Sequence, residues 1–103
     1  MAGFQIEKTP DFDEWFSKQD LMIRTKIEIR FNRIINDGHF GTTNRFDGII
    51  ELKWKSGLRI YTSRIGRTII IALGGGNKNG QSKDIKKAKK ILEEIRSRGF
   101  ESV

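Results

Sequence analysis

The sequence contains no cysteine, so neither a disulfide framework nor a thiolate metal site can form, and its single histidine, His39, cannot build a histidine cluster. These shortages argue against a zinc enzyme, and no metal or organic cofactor is expected. Long apolar runs are missing too: none approaches the roughly 20 residues that a membrane-spanning helix needs. The opening segment MAGFQIEKTPDFDEWF lacks a basic start followed by an apolar core, so a cytoplasmic protein with no membrane partner is expected. Acidic residues are outnumbered, 13 Asp and Glu against 20 Lys and Arg, which gives a formal net charge of +7. That excess points to a polyanionic partner, either nucleic acid or an acidic protein.

What is present suffices for one domain. A chain of 103 residues that is 36% hydrophobic can bury one modest core, and no repeat, linker or low-complexity segment divides residues 1–103. GFQIEKT alternates like a short edge strand. Thr9 then reads as a helix cap, with Pro10 at the first helical position and Asp11 and Asp13 in the first turn, predicting a helix over 10–18. A second helix follows Asp20. Its apolar residues Ile23, Ile27, Phe31, Ile34 and Ile35 recur at helical spacing, and Gly38 is its left-handed cap, so the two helices form a hairpin.

From Phe46 the period changes to two. Ile50, Leu52 and Trp54 share one face with Leu58, Ile60 and Thr62, whereas Glu51, Lys53, Lys55, Arg59, Tyr61 and Ser63 share the other. A three-residue loop, Lys55-Ser56-Gly57 with Gly57 at positive φ, keeps the faces in phase. It pairs Leu52 with Ile60, Lys53 with Arg59 and Glu51 with Tyr61. Two opposed cations are unfavourable in a sheet unless something anionic lies over them. RTIIIALGGG is apolar on both alternations and reads as a central strand, joined by a tight turn at Ile65-Gly66 that pairs Ile60 with Ile71 and sets Ala72 beside Arg59. A final helix from about Ser82 carries Ile85, Ala88, Leu92 and Ile95 on one face. Gly99 ends it, and Phe100 is expected to fold back on Ile95. Trp15, Phe16, Phe31, Trp54 and Leu92 read as core.

The triple glycine would then lie between the central strand and the last helix, where bare backbone and a helix start can approach a phosphate. It matches neither GxxxxGK[ST] nor GxGxxG, and by itself also fits a glycine-relieved strand end. Lys78, Gln81 and Lys83 follow at once, and Lys53, Arg59 and Tyr61 converge on the same end of the sheet. Each of these alone equally fits a solvated face; together they suit an RNA strand, with cations on phosphates and the ring stacked on a base. RNA carries its own nucleophile, the 2′-hydroxyl, so a cleaving enzyme needs only a proton acceptor, charge stabilisation and a proton donor. A lysine crowded by other cations exchanges protons nearer neutrality, a role open to Lys53 or Lys78, while Arg59 can clamp phosphoryl oxygens. Glu51 is the alternative base or, more simply, a salt-bridge partner within the basic face. His39 reads as a capping or surface residue, and the lysine-rich last helix as a solvated face that adds nonspecific attraction.

GIIELKWKSGLRIYTSR and LGGGNKNGQSKDIKKAKK together resemble the RelE/ParE superfamily of bacterial toxins, most closely the HigB-like addiction module killer proteins. The first stretch is similar to that family's ELR followed by a G-aromatic-R-aliphatic-aromatic strand, and the second to its GGDKxxQxxDIxxA segment. The resemblance covers nearly the whole chain. It implies a small α+β fold with a curved antiparallel sheet, an N-terminal helical hairpin and a C-terminal helix, in the order β-α-α-β-β-β-α. It also implies mRNA endonuclease activity on the ribosome, as the toxin of a type II toxin–antitoxin system, and a cognate antitoxin of helix-turn-helix type. Carried across, Arg59, Lys78 and Lys53 take the catalytic positions, and Tyr61, Gln81, Lys83 and Asn77 the RNA-binding ones. Asp84 and Ile85 match the family's helix start. Lys53 stands for the usual arginine, Asn77 for aspartate and Leu58 for an aromatic residue. Two other functions fit the same features: inhibition of DNA gyrase, as on the ParE side of the superfamily, and non-enzymatic nucleic-acid binding with steep salt dependence.

Overall fold

In the computed structural model, which describes residues 3–99, Thr9 links the first strand to the first helix. Its hydroxyl accepts from the Phe12 N–H at 3.1 Å and donates to the Ala72 carbonyl at 3.0 Å, so one side chain caps a helix and ties it to a strand. The chain runs β1 (Gln5–Lys8), α1 (Pro10–Ser17), α2 (Leu21–Asp37), β2 (Thr43–Phe46), β3 (Ile49–Lys53), β4 (Leu58–Ile65), β5 (Ile69–Asn77), a 3₁₀ turn (Lys78–Gly80) and α3 (Gln81–Ser97). Asp20 caps α2 by accepting from the Ile23 N–H, and Gly38 ends it at φ 67°. No helix among the described residues is long and apolar enough to cross a membrane.

The strands form one sheet in the order β1-β5-β4-β3-β2, antiparallel except for the parallel β1–β5 edge. Two layers cover it. Phe12 of α1 and Ile27, Phe31 and Ile34 of α2 pack on Ile50, Leu52, Leu58, Ile60, Ile70 and Ala72. On the opposite face, Ala88 and Leu92 of α3 close over Ile49, Tyr61 and Leu73. The β3–β4 register is as the alternation requires: Leu52 lies opposite Ile60, Lys53 opposite Arg59 and Glu51 opposite Tyr61, and Gly57 sits at φ 102°.

Three expectations are corrected. The sheet has a further strand, β2, joined to β3 by a two-residue turn at Asp47 (φ 50°) and Gly48 (φ 80°), the primed geometry that Asp-Gly favours. The β4–β5 turn is three residues long, with Ile65 opposite Ile69 and Thr62 opposite Ala72. Between Tyr61 and Thr62 the register shifts, because Leu73 is an extra residue in β5. Ile60 therefore pairs with Gly75, not Ile71, and Arg59 with Gly76, not Ala72. Finally, the face carrying Glu51, Tyr61 and Ser63 is not open: all three are buried, Tyr61 under Ala88 and Leu92 of α3, Glu51 against Gln81, and Ser63 with its hydroxyl on the Gly48 carbonyl. Phe100 lies outside the described residues.

The bulge also explains the glycines, which belong to β5 itself. A Cβ on Gly75 would stand 2.6 Å from the Trp15 ring of α1, and one on Gly76 would collide with the Asp84 carboxylate of α3; Gly74 meets nothing within 4 Å. Two consecutive glycines thus admit one helix on each face of the strand. Their first role is helix–sheet packing, not close approach of a ligand backbone.

Candidate nucleic-acid interface

The β3–β4 hairpin builds the site. Trp54 donates its backbone N–H to Leu58, Gly57 donates to Trp54, and Lys78 donates to Gly57 at 2.8 Å, which extends the pairing one step beyond β5. The Lys78 stem lies against Gly57, where a Cβ would meet its Cγ at 3.4 Å. This brings Lys78 alongside the strand ends bearing Lys53 and Arg59. Lys53, Arg59 and Lys78 line one open cleft of about 430 Å³ together with Thr42, Trp54 and Lys55. Four of those six side chains are cationic and none is acidic.

Arg59 is held more firmly than the lysines. Its Nη1 donates to the Trp54 and Leu58 carbonyls at 3.0 and 2.9 Å, and its side chain is only 11% exposed. Beneath it, Nε lies 3.8 Å from Oε2 of Glu51, a fully buried carboxylate that also accepts from Gln81 Nε2 at 2.6 Å. A buried carboxylate is costly unless it is paired and hydrogen-bonded. Here the partners come from β4 and from the first residue of α3. Glu51 is thus the salt-bridge partner within the basic face, set below the cleft.

The other site residues are placed differently. Tyr61 is fully buried in the α3-side core, so it cannot stack on a base, and this expectation is corrected. Its hydroxyl is buried beside the Glu51 carboxylate without forming a well-aligned hydrogen bond, and its pKa is raised well above the phenol range, first by burial and then by Glu51 and Asp84. The phenol therefore stays protonated. Gln81 is occupied by Glu51 and acts within the protein. Asn77 accepts from the Asn79 and Gly80 N–H groups and caps the 3₁₀ turn. Lys83 is exposed in the first turn of α3, away from the cleft lining. Burial against Gly76 raises the Asp84 pKa, while Lys83 and Lys87 oppose the shift.

Sequence reasoning missed Arg30. Its guanidinium gives all three nitrogens to backbone carbonyls, Nε to Phe40, Nη1 to Lys53 and Nη2 to Thr42, and lies 4.2 Å over the Trp54 ring. It ties α2 and the loop before β2 to the end of β3. The available signal was the stripe Lys26, Arg30, Arg33, spaced four and three along α2.

No protein-family model matches the chain. An uncharacterized protein of Haemophilus influenzae is 39% identical over 95 residues, spanning 88% of this chain and 95% of its own length. The chain belongs to the same family as that protein. The fold is that of RelE toxins. Free Escherichia coli RelE, solved as a double arginine-to-alanine mutant, superposes with a TM-score of 0.70 at 15% identity, covering 87% of this chain and 97% of its own. The intact E. coli RelBE toxin–antitoxin complex contains a chain matching at TM-score 0.60 and 10% identity, covering 72% and 95%. A chain of the Mycobacterium tuberculosis RelBE2 toxin–antitoxin complex matches at 0.58 and 14%, covering 73% and 98%. This chain thus shares its scaffold with these three toxin chains at only 10–15% sequence identity.

Proposed function

We propose that this chain is the toxin of a type II toxin–antitoxin pair, of the HigB-like branch, and cleaves mRNA on the ribosome. The observation that carries the reading is the shared cleft of Lys53, Arg59 and Lys78, with no acidic residue in its lining. In this reading Arg59, pre-oriented by two carbonyls, clamps the non-bridging phosphoryl oxygens. One lysine of the pair Lys53 and Lys78, as the neutral amine, accepts the 2′-hydroxyl proton and becomes the ammonium; the oxygen attacks phosphorus, the bond to the 5′-oxygen breaks, and the other lysine, as the ammonium, protonates that oxygen. The products are a 2′,3′-cyclic phosphate, or its 3′-phosphate hydrolysis product, and a 5′-hydroxyl. The likeness to toxin chains from RelBE complexes supports a cognate antitoxin as the partner.

Purified protein incubated with mRNA, with and without ribosomes, should give discrete cut ends carrying those termini. Lys78→Ala should restore growth on expression while keeping the fold; Arg59→Ala also strands the buried Glu51 carboxylate, so Arg59→Ala/Glu51→Gln, which removes that charge as well, should restore growth with the folded circular-dichroism spectrum retained. Intact message under both conditions, together with loss of DNA supercoiling activity of gyrase, would replace this reading with gyrase inhibition.

A further inference from the structure

Beside the Lys53–Arg59–Lys78 cleft lies a second, of about 300 Å³, which shares Thr42, Lys53 and Trp54 with it. Its far wall is α2. Lys26, Ile29, Arg30 and Arg33 recur three and four apart and so project from one helix face, and His39 completes the wall beyond the helix cap. No carboxylate lines it. The floor is prebuilt: Arg30 is spent on three carbonyls and stacked on Trp54, so it holds the groove open. That leaves Lys26 and Arg33, both exposed, as the cations this groove adds to the shared Lys53, beside Ile29, an apolar side chain 51% exposed.

Cations flanking an apolar surface, continuous with the cationic cleft of about 430 Å³, match a nucleic-acid strand, whose phosphates and base faces alternate. Resting on the nuclease reading above, we propose that this groove is a subsite for single-stranded RNA next to the scissile phosphate, with Lys26 and Arg33 on backbone phosphates and Ile29 and His39 against a base. An acidic polypeptide would satisfy the two cations but would leave the apolar wall and the continuity with the first cleft unused.

The probe is 2′-O-methyl RNA, which lacks the attacking hydroxyl and cannot be cleaved, used as a ten-nucleotide and a three-nucleotide strand. For single strands, log Kobs falls with log salt by about 0.7 per phosphate contacted. Lys26→Ala/Arg33→Ala should therefore flatten the slope by about 1.4 with the ten-mer and leave it unchanged with the trimer, which fills only the first cleft. Lys86→Ala/Lys90→Ala on α3 removes the same charge from exposed positions elsewhere and should flatten the ten-mer slope far less. The proposal is overturned by an unchanged ten-mer slope in the α2 variant, by an equal fall in the α3 control, or by loss of polyglutamate binding with RNA binding intact. The two readings fail separately. Cleavage of message by the unmodified protein with an unchanged slope removes only the subsite. A flattened slope without any cleavage keeps strand binding in the groove and removes the nuclease.

Discussion

Three adjacent glycines should answer differently to the same alanine substitution. At Gly75 the new Cβ would stand 2.6–2.8 Å from three ring atoms of Trp15. That ring is packed against the core beside Phe12, at 6.0 Å between centroids, so moving it aside gives up core contacts. Overpacking of this kind costs about 1–3 kcal/mol, and the entropy lost from the unfolded chain returns about 0.4–1 kcal/mol, so Gly75→Ala should destabilise by roughly 1–2 kcal/mol. At Gly76 the obstacle is the Asp84 carboxylate; its displacement should bring a loss of similar size, on the α3 face. At Gly74 nothing lies within 4 Å and φ is not positive, so Gly74→Ala should be neutral or stabilise by up to about 1 kcal/mol.

Urea unfolding followed by circular dichroism measures all three, and a shift of 1 kcal/mol corresponds to about 4–8 °C in Tm for a domain of this size. The assignment of cause is tested by pairs: Trp15→Leu should recover much of the Gly75→Ala loss but none of the Gly76→Ala loss, and Asp84→Ala the reverse. Equal effects at all three positions would refute the packing argument. So would unchanged stability with selective loss of RNA affinity, which is the behaviour of glycines kept clear for a ligand backbone.

Tyr61→Phe should change stability by less than about 1 kcal/mol at neutral pH, because the buried phenol oxygen has no well-aligned hydrogen bond and only the neighbouring Glu51 carboxylate to interact with. The folded phenol has a raised pKa, so its contribution is complete below the unfolded value of about 10 and is lost as pH rises through the folded value. Chemical unfolding between pH 9 and 12 should show that alkaline loss in the unmodified protein and a flatter profile in Tyr61→Phe. Glu51→Ala leaves Gln81 and Arg59 without their buried acceptor and should cost about 3–5 kcal/mol in the same assay, whereas Glu51→Gln keeps a hydrogen-bonding group and should cost less. Arg30→Lys cannot reproduce a three-carbonyl fork and should lose about 2–3 kcal/mol despite preserving charge; an unchanged urea midpoint would contradict the clamp.

The helix boundaries were legible because single residues dictate them: Thr9 and Asp20 carry oxygens placed to accept an N–H three residues on, and Gly38 adopts the left-handed φ that ends α2. The β3–β4 register was legible because only a three-residue loop keeps Leu52 and Ile60 on one face. The β4–β5 register was not. Ile69, Ile70 and Ile71 are apolar on both alternations, so the strand carries no phase, and the extra residue Leu73 changes phase halfway. Strand β2 was missed because Thr43–Phe46 is short and mostly polar, as a sheet edge is, although Asp47-Gly48 marked its turn. Alternation placed Tyr61 opposite the α1–α2 core, but could not show that α3 covers that side as well. In the cleft, the pairing of Lys53 with Arg59 followed from the hairpin arithmetic, and Lys78 from its place just beyond the glycines at the neighbouring strand end, whereas Arg30 and Thr42 enter through tertiary folding of α2 and the loop after it.

How each cation is held bears on what it can do. Lys53 opposite Arg59 is a repulsive pair on a sheet, and Glu51 offsets it from below, where it is shielded from solvent and sits 3.8 Å from Arg59. Because Nη1 is already fixed by two carbonyls, Arg59 can meet a phosphate without first losing the roughly 0.5–1.5 kcal/mol that immobilising a free side chain costs. The lysines around it have compact ammonium groups on flexible stems, better suited to moving with a proton than to fixing geometry. The rigid member of the set therefore depends on a carboxylate that is itself oriented by Gln81, the first residue of α3. Helix α3 lines no part of the cleft, yet through Gln81 and Glu51 it helps determine where the guanidinium points. The cleft is consequently a property of the whole three-layer fold, and its geometry should be sensitive to any partner or substitution that shifts the start of α3.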